Sequence, residues 1–235
     1  MNALLVRVGI DSTDGYWNAP MRLATGEFAY VTITDTKPLR DGMSRSYDEF
    51  ASVAANFGER LPEWLRGQPT HLDPDFNFLT YGDQGQRAKR IRTQIGFGDL
   101  LVFFAALRPV DGSPRPLIYA LIGLYVVEEI VEAKSVPKAR WAENAHTRRL
   151  PGDSDIVVRA KRGISGRLRR CIPVGELRDR VYRVRRDLLE AWGDLDIKDG
   201  YIQRSVRLPA FLDAERFYRW FLSQKPELVE ENNPA

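Results

Sequence analysis

The stretch "GDLLVFFAALRP" constrains this chain more than any other, because residues 100–107 are eight apolar residues in a row. A second apolar run, "PLIYALIGLYVVEEIVEA", follows after "DGSPRP", whose Asp, Gly, Ser and Pro suit a hairpin or loop. A membrane-spanning helix needs about 20 predominantly apolar residues. Glu128 and Glu129 interrupt the second run, and both runs are rich in β-branched and aromatic residues. A pair of buried strands is therefore expected, the second bent at Gly123, with no membrane partner.

The remaining elements are expected around that pair. "NALLVRVGI" puts Leu4, Val6, Val8 and Ile10 on one face at period two, as a strand does. "EFAYVTIT" and "DIVVRAK" read as further strands. Ser46 can cap a helix carrying Phe50, Val53, Ala54 and Phe57, ended by Gly58. "QRAKRIRTQI" reads as a short basic helix, and "RDRVYRVRRDLLEAWG" as a helix ended by Gly193. "LDAERFYRWFLSQ" reads as a helix with Asp213 as N-cap and Phe217, Trp220 and Phe221 on its apolar face. Strands and helices mix without clean βαβ alternation, so the expected class is α+β, with a bent mixed sheet or a small barrel and flanking helices.

One cysteine, Cys171, excludes an intramolecular disulfide and any multi-cysteine zinc site. It reads as buried and inert. The N-terminus has neither the basic nor the apolar region of a secretion signal, and a cytoplasmic location is expected. Residues 134–186 carry 16 Lys/Arg against 5 Asp/Glu, so the rest of the chain is net acidic. Such asymmetry suits a polyanion binder. The expected partner is nucleic acid or a nucleotide.

Gly98, Asp99, Phe103, Phe104, Gly123 and Val126 make the two-strand segment resemble the core hairpin of the PUA-like superfamily, above all its EVE and ASCH branches. The resemblance implies a small β-barrel over residues 90–175 that can hold a base in a cleft. The stretches "LLVRVGIDST…GYWNAP", "HLDPDF…TYGD", "GDLLVFFAALRP", "GRLRRCIPVG" and "GYIQRS" resemble, over nearly the whole chain, a bacterial and phage nucleotide-modification-associated domain family, the third of its naming series. This implies one domain spanning residues 1–235, associated with modified bases or their synthesis, or with defence. It supplies no reaction.

Several loops carry candidate site residues. In "HLDPDFNFLTYGD", His71 and Asp73 alternate and would share one face of an extended segment. With Asp83, and with Asp11 just past the first strand, they can serve as acid/base groups. The aspartates equally suit turns. Only two histidines and one cysteine are available, so no metal is expected. Trp17 and Asn18, Tyr81, and Tyr201, Gln203 and Arg204 can stack on a base or read its edge. In "RAKRGISGRLRRC", Arg159, Lys161, Arg162, Ser165, Arg167 and Arg169 surround two glycines, a pattern suited to phosphate. It is neither GxxxxGK[ST] nor GxGxxG, and no cofactor is expected. His146 lies beside Arg148 and Arg149 and would strengthen a catalytic reading if it met His71.

The leading functional expectation is recognition of a modified base or nucleotide in nucleic acid. The alternative is an enzyme of base or nucleotide modification, or a nuclease, using His71, Asp73, Asp83 and Asp11. His71, Asp73 and Asp11 within hydrogen-bond reach of one another in a cleft would favour the enzyme, and side chains that point apart and cap turns would remove its support.

Overall fold

A computed structural model describes residues 1–11, 17–112, 116–203 and 207–234. The elements in chain order are β1 (Ala3–Arg7), β2 (Pro20–Met21), α1 (Ala51–Ala55), β3 (Thr80–Asp83), α2 (Gly85–Gln94), β4 (Leu100–Pro109), β5 (Ile118–Glu132), α3 (Ala145–Arg148), β6 (Ile156–Ala160), β7 (Gly166–Pro173), β8 (Gly175–Arg178), β9 (Val181–Val184), α4 (Arg186–Trp192), α5 (Ala214–Ser223) and β10 (Leu228–Val229). The main sheet runs β1-β4-β5-β6-β3. β1 lies parallel to β4, and the β4–β5, β5–β6 and β6–β3 pairs are antiparallel. The class is thus α+β, with a bent mixed sheet. The sheet does not close, so the small barrel implied by the PUA-like resemblance is not formed.

The apolar run of β4 has a direct structural consequence. Leu101, Phe103, Ala105 and Leu107 pack into one hydrophobic cluster with Leu4, Val6, Tyr30 and Phe76. Leu100, Val102, Phe104 and Ala106 pack into a second, with Leu5, Trp192, Phe217 and Phe221. A strand covered on both faces reads as a continuous apolar run rather than an alternating one. β5 extends past β4. Its first part pairs with β4 on one side and β7 on the other, and its last part pairs with β6. The expected bend falls at Gly123, where the pairing registers with both β4 and β7 shift. A Cβ there would lie 2.7 Å from the Phe76 ring and 2.8 Å from the Gly166 carbonyl oxygen.

Local expectations survive where they rest on local chemistry. Ser46 caps a single 3-10 turn, Tyr47–Phe50, that runs into α1. α2 and α5 form as read, and Asp213 accepts from the Arg216 N–H at 2.9 Å. Three expectations change. "EFAYVTIT" is buried from Phe28 to Val31 but makes single bridges, Met21 to Phe28 and Thr34 to Thr70, instead of a ladder. "TYGD" is strand β3, not a turn. The long helix before Gly193 divides: residues 181–184 form β9 against β8, and only Arg186–Trp192 is helical. Tyr182 explains the division, since its ring stacks on Tyr119 at 4.2 Å, and an extended backbone carries it there.

Candidate functional site

β3 is the platform of a polar cavity of about 660 Å³. Its walls include Arg7, Asp11, Asp35, Lys37, His71, Asp73, Tyr81, Asp83, Arg87, His146 and Arg149. The volume lies within the roughly 300–1,000 Å³ of small-molecule sites.

The segment before β3 supplies His71 and Asp73. It is extended, so these two point one way and Leu72 is buried on the other side, as alternation dictates. Asp73 accepts the Gly82 N–H of β3 at 2.8 Å and the Asn144 side-chain N–H at 2.9 Å, both through Oδ1. Asn144 also accepts the His146 backbone N–H at 2.8 Å, which caps α3. One buried amide therefore fixes Asp73 and His146 together. Gly82 completes the fit, because a Cβ there would lie 2.3 Å from His146 Cδ2.

The two histidines meet. Their ring centroids are 5.1 Å apart in an edge-on arrangement. Each imidazole has a carboxylate at Nδ1: Asp35 lies 3.0 Å from His71, and Asp155 lies 2.9 Å from His146. Arg149 shares Asp155 at 3.1 Å and lies 2.9 Å from the same His146 nitrogen. The opposite nitrogens face Asp73 Oδ2, at 3.9 Å from His71 Nε2 and 3.8 Å from His146 Nε2. His71, Asp73 and His146 thus offer three ligand atoms no more than 4.8 Å apart, and could hold a metal ion.

Burial dominates the electrostatics. It pushes the Asp73 carboxyl well above the usual range, against hydrogen bonds from Gly82 and Asn144. It pushes His146 down to about 4, helped by His71 and Arg149 and opposed by the Asp155 hydrogen bond. Burial also works to raise Asp155, but the His146 and Arg149 contacts hold it at about 2. Asp155 is therefore an ionised acceptor at neutral pH and His146 a neutral imidazole.

Of the residues expected from sequence, His71, Asp73, Asp83, Asp11 and Tyr81 all line this cavity. Asp83 is held by the Tyr81 hydroxyl at 2.5 Å and Arg87 Nε at 2.8 Å, while Asp11 pairs with Arg7 at 2.7 Å. Trp17 and Asn18 are buried elsewhere, the Asn18 amide donating to the Ala106 carbonyl at 2.9 Å. Gln203 accepts the Tyr182 N–H at 3.0 Å, and Tyr201 bridges to Arg183. Arg204 lies outside the described residues.

The expected phosphate-binding residues, 159–169, do not line the cavity, and their charges are largely paired. Arg159 is bound to Glu143 and Glu129, Arg162 to Glu230, and Arg169 to Glu227. Lys161 sits 3.6 Å from the Phe97 ring centroid. Ser165 and Arg167 are buried, Ser165 accepting the Val126 N–H and Arg167 donating to the Glu231 carbonyl. Those two side chains serve packing and strand pairing, because their polar atoms face the interior.

Sequence reading missed Asp35, Asn144, Arg149 and Asp155. The one signal available for Asn144 was its place as N-cap before "AHTR". The others are set by long-range pairing that spacing does not encode.

The fold and site define an α+β protein with a polar histidine–carboxylate cavity at one end of its sheet. Residues 2–200 match the model of nucleotide modification associated domain 3, and the chain belongs to that family. No curated protein and no solved structure matches it. Among the described residues no helix is long and apolar enough to cross a membrane.

Proposed function

We propose that this protein is an enzyme of base or nucleotide modification and that its chemistry is carried by His71, Asp73 and His146. The observation that carries the reading is their convergence in one cavity, from segments more than 70 residues apart, each with a buried hydrogen-bond partner. Locking reactive side chains from behind is what a catalytic site requires and a set of turns does not. Family membership supports the substrate class. β1 near one terminus and β10 near the other join the same sheet, which supports reading residues 1–235 as one domain.

The test is to produce the wild-type protein and His71→Ala in cells, digest their DNA and RNA, and compare the nucleosides by liquid chromatography and mass spectrometry. An altered nucleoside is expected with wild type alone. Indistinguishable profiles overturn the reading.

Recognition of a modified base or nucleotide in nucleic acid is the second reading. It is favoured by Arg7, Lys37, Arg87 and Arg149, four cations in the cavity wall. Binding to modified and plain oligonucleotides over a salt series should then weaken as salt rises. Lys161, Arg162 and Arg169 would contribute only by exchanging their present partners for phosphates.

A further inference from the structure

We infer that the cavity holds one divalent first-row transition-metal ion, ligated by His71 Nε2, His146 Nε2 and Asp73 Oδ2. The inference rests on the same convergence of residues as the enzymatic reading, but it is tested by a separate property.

The orientation of the three groups is the first argument. The Nδ1 atoms of His71 and His146 lie 3.0 and 2.9 Å from the carboxylates of Asp35 and Asp155, which favours the Nδ1–H tautomer, with Arg149 Nη2 also 2.9 Å from the His146 nitrogen. Each Nε2 then carries a lone pair, and both lone pairs face Asp73 Oδ2. Asp73 Oδ1 accepts from Gly82 at 2.8 Å and Asn144 at 2.9 Å, while Oδ2 has only the longer 3.0 Å contact of the same Gly82 N–H. Neither Nε2 comes within hydrogen-bond distance of Oδ2, so two imidazole nitrogens and a carboxylate oxygen face one another with a gap between them that a cation can join. A carboxylate behind each imidazole is also the usual outer support of a metal-binding histidine, because it fixes the tautomer and raises the basicity of the ligating nitrogen.

Charge is the second argument. Asp35, Asp73 and Asp155 are all buried around the two rings. Among the described residues Arg149 is the one Lys or Arg paired with any of them. A dication supplies the compensation that buried carboxylates require.

Dimensions and ligand chemistry narrow the ion. Ligands at about 2.1 Å from a metal lie roughly 3.0–3.4 Å from one another. The present separations, 3.8 and 3.9 Å to Asp73 and no more than 4.8 Å between the two nitrogens, close to that range with shifts of roughly half an ångström or more. His71, the most exposed of the three, has room to make them. Two imidazoles and one carboxylate suit iron, manganese, cobalt, nickel or zinc better than magnesium or calcium, which prefer all-oxygen shells. Three protein ligands leave at least one coordination position open, and here it opens on the cavity.

The experiment uses the full chain, stripped with a chelator, dialysed and titrated with Co(II). Visible absorption and calorimetry report binding, and Mn(II), Fe(II), Ni(II) and Zn(II) are ranked by competition. One equivalent of Co(II) is expected to bind with a d–d spectrum. His71→Gln and Asp73→Asn should each weaken binding by at least about tenfold, and Asp35→Asn by about 10–100-fold. Circular dichroism identifies which variants keep the fold, and His71→Gln, at the cavity surface, serves if Asp73→Asn unfolds. Absence of binding by the wild type overturns the proposal, as does unchanged affinity in folded His71→Gln. A protein that binds no metal but still yields the altered nucleoside loses the metal and keeps the enzymatic reading. A bound metal with unchanged nucleoside profiles does the reverse.

Discussion

At the scale of single residues, the cavity depends on atoms that are absent as much as on those present. Gly82 is on β3 because His146 lies where its side chain would be. Gly82→Ala must move either the strand or the imidazole, and overpacking of this kind costs roughly 1–3 kcal/mol. A lower urea midpoint is expected, together with weaker Co(II) binding. An unchanged midpoint would mean that His146 shifts freely. Cys171 gives a prediction of the opposite kind. Burial pushes its thiol up to about 12, so the reactive thiolate is scarce at neutral pH. Maleimide at pH 8 should label the urea-unfolded protein quickly and the native protein hardly at all. Rapid native labelling would contradict the burial of β7 at this position.

Among the elements, legibility followed the range of the interactions that form each one. α5 was readable because its determinants are local: Asp213 caps it, and Phe217 and Phe221 recur at helical spacing to meet Trp192 and Leu5. Asp213→Ala should therefore cost about 1 kcal/mol, measured by denaturant unfolding. β3 and β9 were not readable in the same way. "TYGD" has good turn chemistry by itself, and it becomes a strand because residues 156–159 pair with it. "VYRV" is compatible with a helix until β8 and the Tyr119 ring offer an extended partner. The doubly buried β4 was recognised as buried, yet the existence of two separate cores follows only from what packs on each face.

For the whole molecule, the question is how distant segments are held in one arrangement. His71, Asp73 and His146 were nameable from their types and positions, whereas the partners that orient them come from residues 35, 144, 149 and 155 and were not. Asp196 shows the same long-range fastening away from the cavity. It accepts the Ala210 N–H at 2.7 Å and binds Arg90 of α2 at 2.5 Å, tying that helix to the segment before α5. Burial works to raise its carboxyl, but the Ala210 and Arg90 hydrogen bonds outweigh it and the net shift is downward. A lowered folded-state value contributes stability above the unfolded value, near 3.9, and loses it as pH falls. Wild type should thus exceed Asp196→Asn in stability at pH 7, with the gap narrowing below about pH 4 in denaturant titrations. A gap independent of pH would remove the ionised carboxylate from the account. Finally, β3 ends the strand order of the main sheet, a position where free backbone groups invite another chain to add a strand. Here the Asp73 carboxylate takes the Gly82 N–H and the Asp75 carbonyl takes that of Thr80. The segment that carries His71 and Asp73 therefore also shields the sheet from self-association. Asp73→Ala should make the protein self-associate, with light scattering that grows with concentration.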